Sequence, residues 1–274
     1  MSIASEVVNH GRVVYARAYV RLKGLHREPH WSIAEVIIPM LSISAYIYMY
    51  QVLNAPNEFL GFVIVGGAML AFWSNVLWGM SAQFYWEKET GTLELYMVAP
   101  ISRMAVLLGM ALGGILNTTI RALSILIIGT TLFLIQFAVG DLSALIIIFV
   151  LAVVSLYGMG ILFASLFLLY GREATHMADL LQEPIYVLSG MYYPVLSSRF
   201  FPFAVKFLAS AIPLTLGIDG IRRIVILGGD FNSVILHIVG LAVLASLLLP
   251  LSYLALRKME NISKREGRLT LRWQ

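Results

Sequence analysis

The chain of 274 residues contains no cysteine. Disulfides, thiolate nucleophiles and thiolate-bound metals are therefore excluded. Charge is scarce too. Only 12% of residues are Asp, Glu, Lys or Arg, against 59% hydrophobic residues and a mean hydropathy of +0.85. Soluble domains carry about 25% charged residues, so a polytopic membrane protein is expected. No Gly-x-x-x-x-Gly-Lys-Ser/Thr occurs, which removes the loop that cradles a nucleotide phosphate. There is no Gly-x-Ser-x-Gly elbow for hydrolase chemistry and no nucleic-acid motif. His26 and His30 have an i, i+4 spacing, but Pro29 spoils the helix that would bring both to one metal. No secretory signal is visible, because the first apolar run starts late and is too long.

What the chain has is long apolar runs. A span needs about 20 mostly apolar residues. Six candidates fit, at about 32–53, 59–84, 105–137, 143–170, 178–195 and 233–256. The expected fold is an all-α polytopic membrane protein. An N-terminal segment (1–30) precedes the membrane domain (31–256), and a basic tail (257–274) follows it. With the N-terminus inside, Arg199, Lys206, Arg222 and Arg223 are the outer cations and Arg121 lies within a span. All other Lys and Arg fall on the inner side. The positive-inside rule thus places both termini in the cytoplasm of a plasma-membrane protein.

Three stretches depart from simple spans. Val7, Val14, Ala18, Leu22 and Leu25, interleaved with Arg17 and Arg21, predict an amphipathic helix on the membrane surface, ended by Pro29 and anchored by Trp31. The run 105–137 would be about 50 Å long as a helix against a core of about 30 Å. It must tilt, break or project, and Gly113-Gly114 and Asn117-Thr-Thr119 are the expected weak point. Gly109 and Gly113 have the spacing that allows close helix approach. The stretch 196–232 is rich in Phe and bracketed by Pro202 and Pro213, which predicts short helices dipping back into the outer leaflet as a re-entrant hairpin.

The most telling segment is the acidic island WEKETGTLELYMVAPISR, residues 86–103. Two spans can be joined by a tight turn, so an ordered acidic segment here suggests a docking element. Thr90 or Thr92 can cap a short helix with Glu94 in its first turn. Gly91 lets the chain turn, Pro100 stops the helix, and Leu93, Tyr96 and Met97 share a face that could fill a groove on a partner. Glu87, Glu89 and Arg103 complete its charges.

These residues resemble a known family. Glu87, Gly91, Thr92, Leu93, Glu94 and Pro100, with Ser102-Arg103 behind, are similar to the segment after the second span in permease subunits of ABC-2 type ABC exporters. Ser189-Gly190, Tyr193-Pro194, Pro202, Pro213-Leu214-Thr215, Asp219, Arg222 and Gly228 resemble its second pattern, closest to the daunorubicin-resistance and nodulation-type branch. The resemblance implies a permease that moves a drug, lipid or glycolipid outward. It would work as a dimer, expected to be a homodimer, with two copies of a P-loop ATPase subunit that holds ATP and Mg. No cofactor would bind this chain, which would not itself be an enzyme. Residues 86–103 would contain the coupling helix. The second and fifth spans would line the path, with Phe72, Trp73, Asn75, Trp78, Tyr186, Ser189, Tyr192 and Tyr193 as its walls. A secondary transporter or channel working without an ATPase is the alternative.

Within the membrane, Arg121 is costly unless it faces protein or water. Glu183 is the expected partner, pairing the third and fifth spans, with Glu35 next. A second possibility is that Arg121 sits at a break and snorkels to the interface.

Overall fold

In a computed structural model, residues 3–27, 29–99, 101–170 and 172–266 are described. Among them the chain is helical, without strands. The elements are α1 (Ile3–Arg27), α2 (Pro29–Val52), α3 (Asn57–Ser74), a π-helix (Asn75–Ser81), α4 (Gln83–Glu89), α5 (Thr92–Val98), α6 (Arg103–Phe133), α7 (Leu142–Tyr170), α8 (Arg172–Ser189), α9 (Phe203–Ser210), α10 (Pro213–Val225) and α11 (Phe231–Arg265). Among the described residues, five continuous helical stretches are long and apolar enough to cross a bilayer: Pro29–Val52, Asn57–Glu89, Arg103–Phe133, Leu142–Tyr170 and Phe231–Arg265. The pair α9 and α10, bent by 97°, would add a sixth if counted as one span.

The stretch Asn57–Glu89 is the hub, 89% of its apolar window being buried within the subunit. Helices α2, α6, α7 and α10 pack around it. By contrast, the apolar windows of α2 and α11 are 17% and 22% buried, so their outer faces are left to lipid or to another subunit. Helices α7 and α11 form an extensive side-by-side pair, stitched where the Ser155 hydroxyl donates to the Leu241 carbonyl at 3.0 Å.

Several expectations shift. The segment 178–195, expected as the fifth span, begins earlier as a helix, at Arg172, and ends at Ser189. Its Glu173, Asp179 and Glu183 keep it out of the five apolar stretches. Helix α6 is unbroken through Gly113-Gly114 and Asn117-Thr-Thr119, and at 31 residues it is about 46 Å long. Thr119 donates back to Ile115 at 2.8 Å within the helix, so its hydroxyl does not interrupt the ladder. The second span carries the irregularity instead, as the π-turn at Asn75–Ser81.

The Gly109 and Gly113 spacing serves α1. A Cβ at Gly109 would meet Val14 and Arg17, and one at Gly113 would meet Ala18 and Arg21. Small residues let the two backbones approach, as in membrane helix pairs. The N-terminal helix is therefore docked along α6, with Val13, Val14, Arg17, Ala18, Arg21 and Leu22 turned inward. Its outer face keeps Tyr15, Tyr19 and Val20 exposed, the face left to an interface.

Candidate functional site

The acidic island folds as a bracket of two short helices. Helix α4 ends at Glu89, the chain turns at Gly91 with φ 74°, and α5 starts at Thr92. A left-handed residue here requires glycine or a strained substitute. The expected threonine cap does not form, because Gly91 occupies the cap position without a side-chain bond. Thr90 Oγ1 returns to the Trp86 carbonyl at 3.0 Å, and Thr92 Oγ1 to the Glu87 carbonyl at 3.2 Å. Both threonines thus close the end of α4. Glu94 does lie in the first turn of α5, where a carboxylate is favoured by the helix dipole.

The bracket presents a different face from the one expected. Leu93 is buried at 1% exposure, and Tyr96 is half-buried. Leu93 joins the core, leaving Glu89, Glu94, Leu95 and Val98 facing out, with Trp86 on the preceding turn. The physical reason is that α5 is too short to bury two faces, and its Leu93 side packs on the bundle. The side chain of Met97 and residue Pro100 lie outside the described residues.

Glu87 is buried and does not form part of this outward face. Arg17 of α1 pairs with its Oε1, and Gln83 Nε2 donates to the same oxygen at 3.2 Å. Arg17 also donates to the Tyr96 hydroxyl at 2.6 Å, with its guanidinium 5.3 Å from the ring centre. Burial first, and the Glu87 carboxylate second, raise the Tyr96 pKa above the ordinary phenol value. The hydroxyl therefore stays protonated at neutral pH, accepting from Arg17 and donating to Glu87 at 3.4 Å. One arginine from the N-terminal helix thereby ties both arms of the bracket together. Sequence periodicity could place Arg17 on α1, but not pair it with residues seventy and more positions away.

Above the bracket, the π-turn gathers a second polar group. Ala82 N–H reaches back to the Leu77 carbonyl, the i to i−5 bond of a π-helix. The Ser81 hydroxyl lies 2.7 Å from both the Val76 and the Gly160 carbonyls. Arg21 donates to the Gly79 carbonyl at 2.5 Å, and Tyr157 donates to Asn75 Oδ1 at 2.8 Å. Arg121 is buried beside this turn. Its partner is Glu35, at 3.0 Å, and it also reaches the Ala71 carbonyl and Thr118 hydroxyl, each at 3.4 Å. The expected Arg121–Glu183 pair is not formed. Helix α2 packs on α6, whereas α8 packs on α7, α9 and α10, and Glu183 is exposed. Snorkelling at a break is excluded by the continuous α6.

The opposite end is held by Asp219 and Arg222. Arg222, 2% exposed, donates Nε and Nη2 to the Phe62 carbonyl at 3.1 and 2.7 Å. It also donates to Gly190 at 2.6 Å and to Met191 and Tyr193. These carbonyls lie in α3 and just beyond the end of α8, where Gly190 turns the chain with φ 65°. One guanidinium satisfies the irregular backbone that apolar surroundings would leave unpaired. Asp219 accepts from Arg223 at 2.9 Å and from Ser197 at 3.2 Å, and it meets His237 Nε2 at 2.8 Å. Thr215 donates to the Leu188 carbonyl at 3.2 Å.

A family model described as ABC-2 type transporter matches residues 14–226. This chain belongs to the ABC-2 type transporter family. It is therefore an ABC transporter permease, a multi-pass membrane component of a family that normally works with a P-loop ATPase. No curated protein matches the chain. The match begins within α1 and ends after α10, so it takes in the docked N-terminal helix, the bracket and the Asp219–Arg222 cluster together.

For the permease's expected path walls, burial divides the set. Phe72 packs edge-on against Phe149 and Trp73 against Phe163, and both belong to the subunit's own core. Asn75 and Ser189 are buried. Trp78, Tyr186, Tyr192 and Tyr193 stay partly open. Trp78 Nε1 donates to Gln182 at 3.0 Å, and Tyr192 stacks on Tyr46 at 3.9 Å.

Proposed function

We propose that this permease is half of the membrane body of an ATP-driven exporter. Two copies of the chain face each other above two copies of a P-loop ATPase that carries ATP and Mg. Both termini and the acidic bracket lie on the cytoplasmic side of the plasma membrane, and α4–α5 is the coupling element. The cargo is hydrophobic or amphipathic, in the class of drugs, lipids or glycolipids. The Pro213-Leu214-Thr215 motif with Asp219 and Arg222 supports the daunorubicin-resistance and nodulation-type branch. Helices α9 and α10 act as a re-entrant hairpin at the outer side. The path runs along the second span and α8, with Trp78, Tyr186, Tyr192 and Tyr193 as its wall.

One observation carries this reading. The bracket is braced internally by Arg17, Glu87 and Tyr96, while Glu94, Leu95 and Val98 face outward with Leu95 68% and Val98 88% exposed. A stiff element with an uncovered apolar and acidic face can receive force without collapsing. Its continuity with α3 below the π-turn and its closeness to α6 would pass that force to two spans. Co-expression with a candidate partner P-loop ATPase subunit tests it. Wild-type permease should co-purify with that subunit, and Leu95→Arg with Val98→Arg should abolish association while leaving the permease monodisperse. Substrate movement by purified permease alone in proteoliposomes would refute the proposal.

A further inference from the structure

Just beyond the bracket, a cleft of about 320 Å³ opens between the start of α6 and the late turns of α11. Its polar wall is Ser102, Arg103, Arg257 and Glu260, and its apolar wall includes Tyr253 and Leu256. Tyr253 lies 22 residues after Phe231, about 33 Å along α11, close to the thickness of the hydrocarbon core. The cleft therefore sits at headgroup depth, on the side where α6 begins. Its carboxylate is already occupied: Glu260 takes Lys264 and lies 3.4 Å from Arg103. Arg257 is exposed, so three cations stand around one neutralised acid. The first turn of α6, whose dipole favours an anion, borders the same space.

The second feature is apolar. Leu247, Leu251 and Leu254 recur along one stripe of α11 with exposures of 61%, 54% and 60%. Tyr253, 49% exposed, is part of the cleft wall, and Arg257 follows Leu254 at i+3, next to the stripe on the same helix. A free anion would use the cationic wall alone. A phospholipid would use both, placing its phosphate by Arg257 and its acyl chains along the leucines. We infer that this cleft holds the headgroup of an anionic phospholipid of the inner leaflet. Assigning that leaflet rests on the orientation proposed above, whereas binding itself does not. Basic pockets between spans on the cytoplasmic side suit such headgroups.

Native mass spectrometry of the purified full-length chain, without any ATPase, tests the site. The probes are phosphatidylglycerol and phosphatidylcholine with matched acyl chains, and inorganic phosphate. Wild-type protein should retain phosphatidylglycerol over phosphatidylcholine by about fivefold or more, the scale of one basic residue at an anionic surface. Arg257→Gln should bring that ratio close to one. Lys258→Gln, the same charge change on an exposed neighbour outside the cleft, should leave it intact. Equal losses in both variants would mean diffuse charge attraction and would overturn the site. Displacement of the lipid by millimolar inorganic phosphate would overturn the lipid assignment. Unchanged lipid retention in Arg257→Gln would also overturn it.

Discussion

At the scale of single residues, three arginines do separate jobs in apolar surroundings. Arg17 braces the bracket, Arg121 pairs with Glu35 between α6 and α2, and Arg222 gathers carbonyls from α3 and the end of α8. A guanidinium suits the last task because its donors are fixed in a plane, which a lysine cannot reproduce. Arg222→Lys should therefore lower the detergent melting temperature, and Arg222→Ala should cost at least about 3 kcal/mol by leaving buried acceptors unpaired. A fluorescence-detected thermal ramp reads both, and a wild-type profile for Arg222→Lys would show that charge alone suffices. Glu35 and Glu183 give a paired test. Glu35→Gln leaves Arg121 without a counter-charge and should destabilise by about 1–3 kcal/mol, less than a fully buried pair because the Glu35 side chain is 28% exposed. Glu183→Gln, on an exposed position, should be close to neutral in the same assay.

At the scale of elements, the N-terminal helix is the part whose role changes most on folding. Its basic amphipathic pattern reads as a surface helix, and its outer face is still suited to that. Its inner face fits against Gly109 and Gly113 and sends Arg17 and Arg21 to the bracket and the π-turn. The π-turn exposes backbone that an α-helix would satisfy, and Arg21 meets one of those carbonyls at Gly79. Docked α1 thus connects the bracket to the irregular point of the hub. Gly109→Leu should push α1 off α6 because its side chain would meet the Val14 backbone. Hydrogen exchange should then rise across residues 10–24 and in the bracket, while α7 and α11 stay protected. Faster exchange confined to α1 alone would show that the bracket stands without it.

At the scale of the whole molecule, the buried hub and the open flanks suggest which surfaces meet lipid or a second subunit. The proposed orientation has a direct check, made clean by the absence of native cysteine. Val98→Cys and Phe200→Cys lie at exposed sites, 88% and 96%, at opposite ends of the bundle. In intact cells an impermeant maleimide should label Phe200→Cys and spare Val98→Cys until the membrane is opened. The reverse pattern would invert the topology and remove the bracket from reach of a cytoplasmic ATPase.

Sequence alone determined the membrane class, four of the long apolar runs to within a few residues, the bent segment bracketed by Pro202 and Pro213, and the island. All of these are local properties: hydropathy over about 20 residues, proline and glycine punctuation, and clustered charge. Tertiary structure decided the pairings. Arg121 chose Glu35, Leu93 turned inward, and Gly109 received α1, because each outcome depends on which helices become neighbours across long stretches of chain. The π-turn was equally hidden, since its extra residue per turn is stabilised by Arg21 of α1 and by Tyr157 and the Gly160 carbonyl of α7, and no periodicity within 75–81 encodes them.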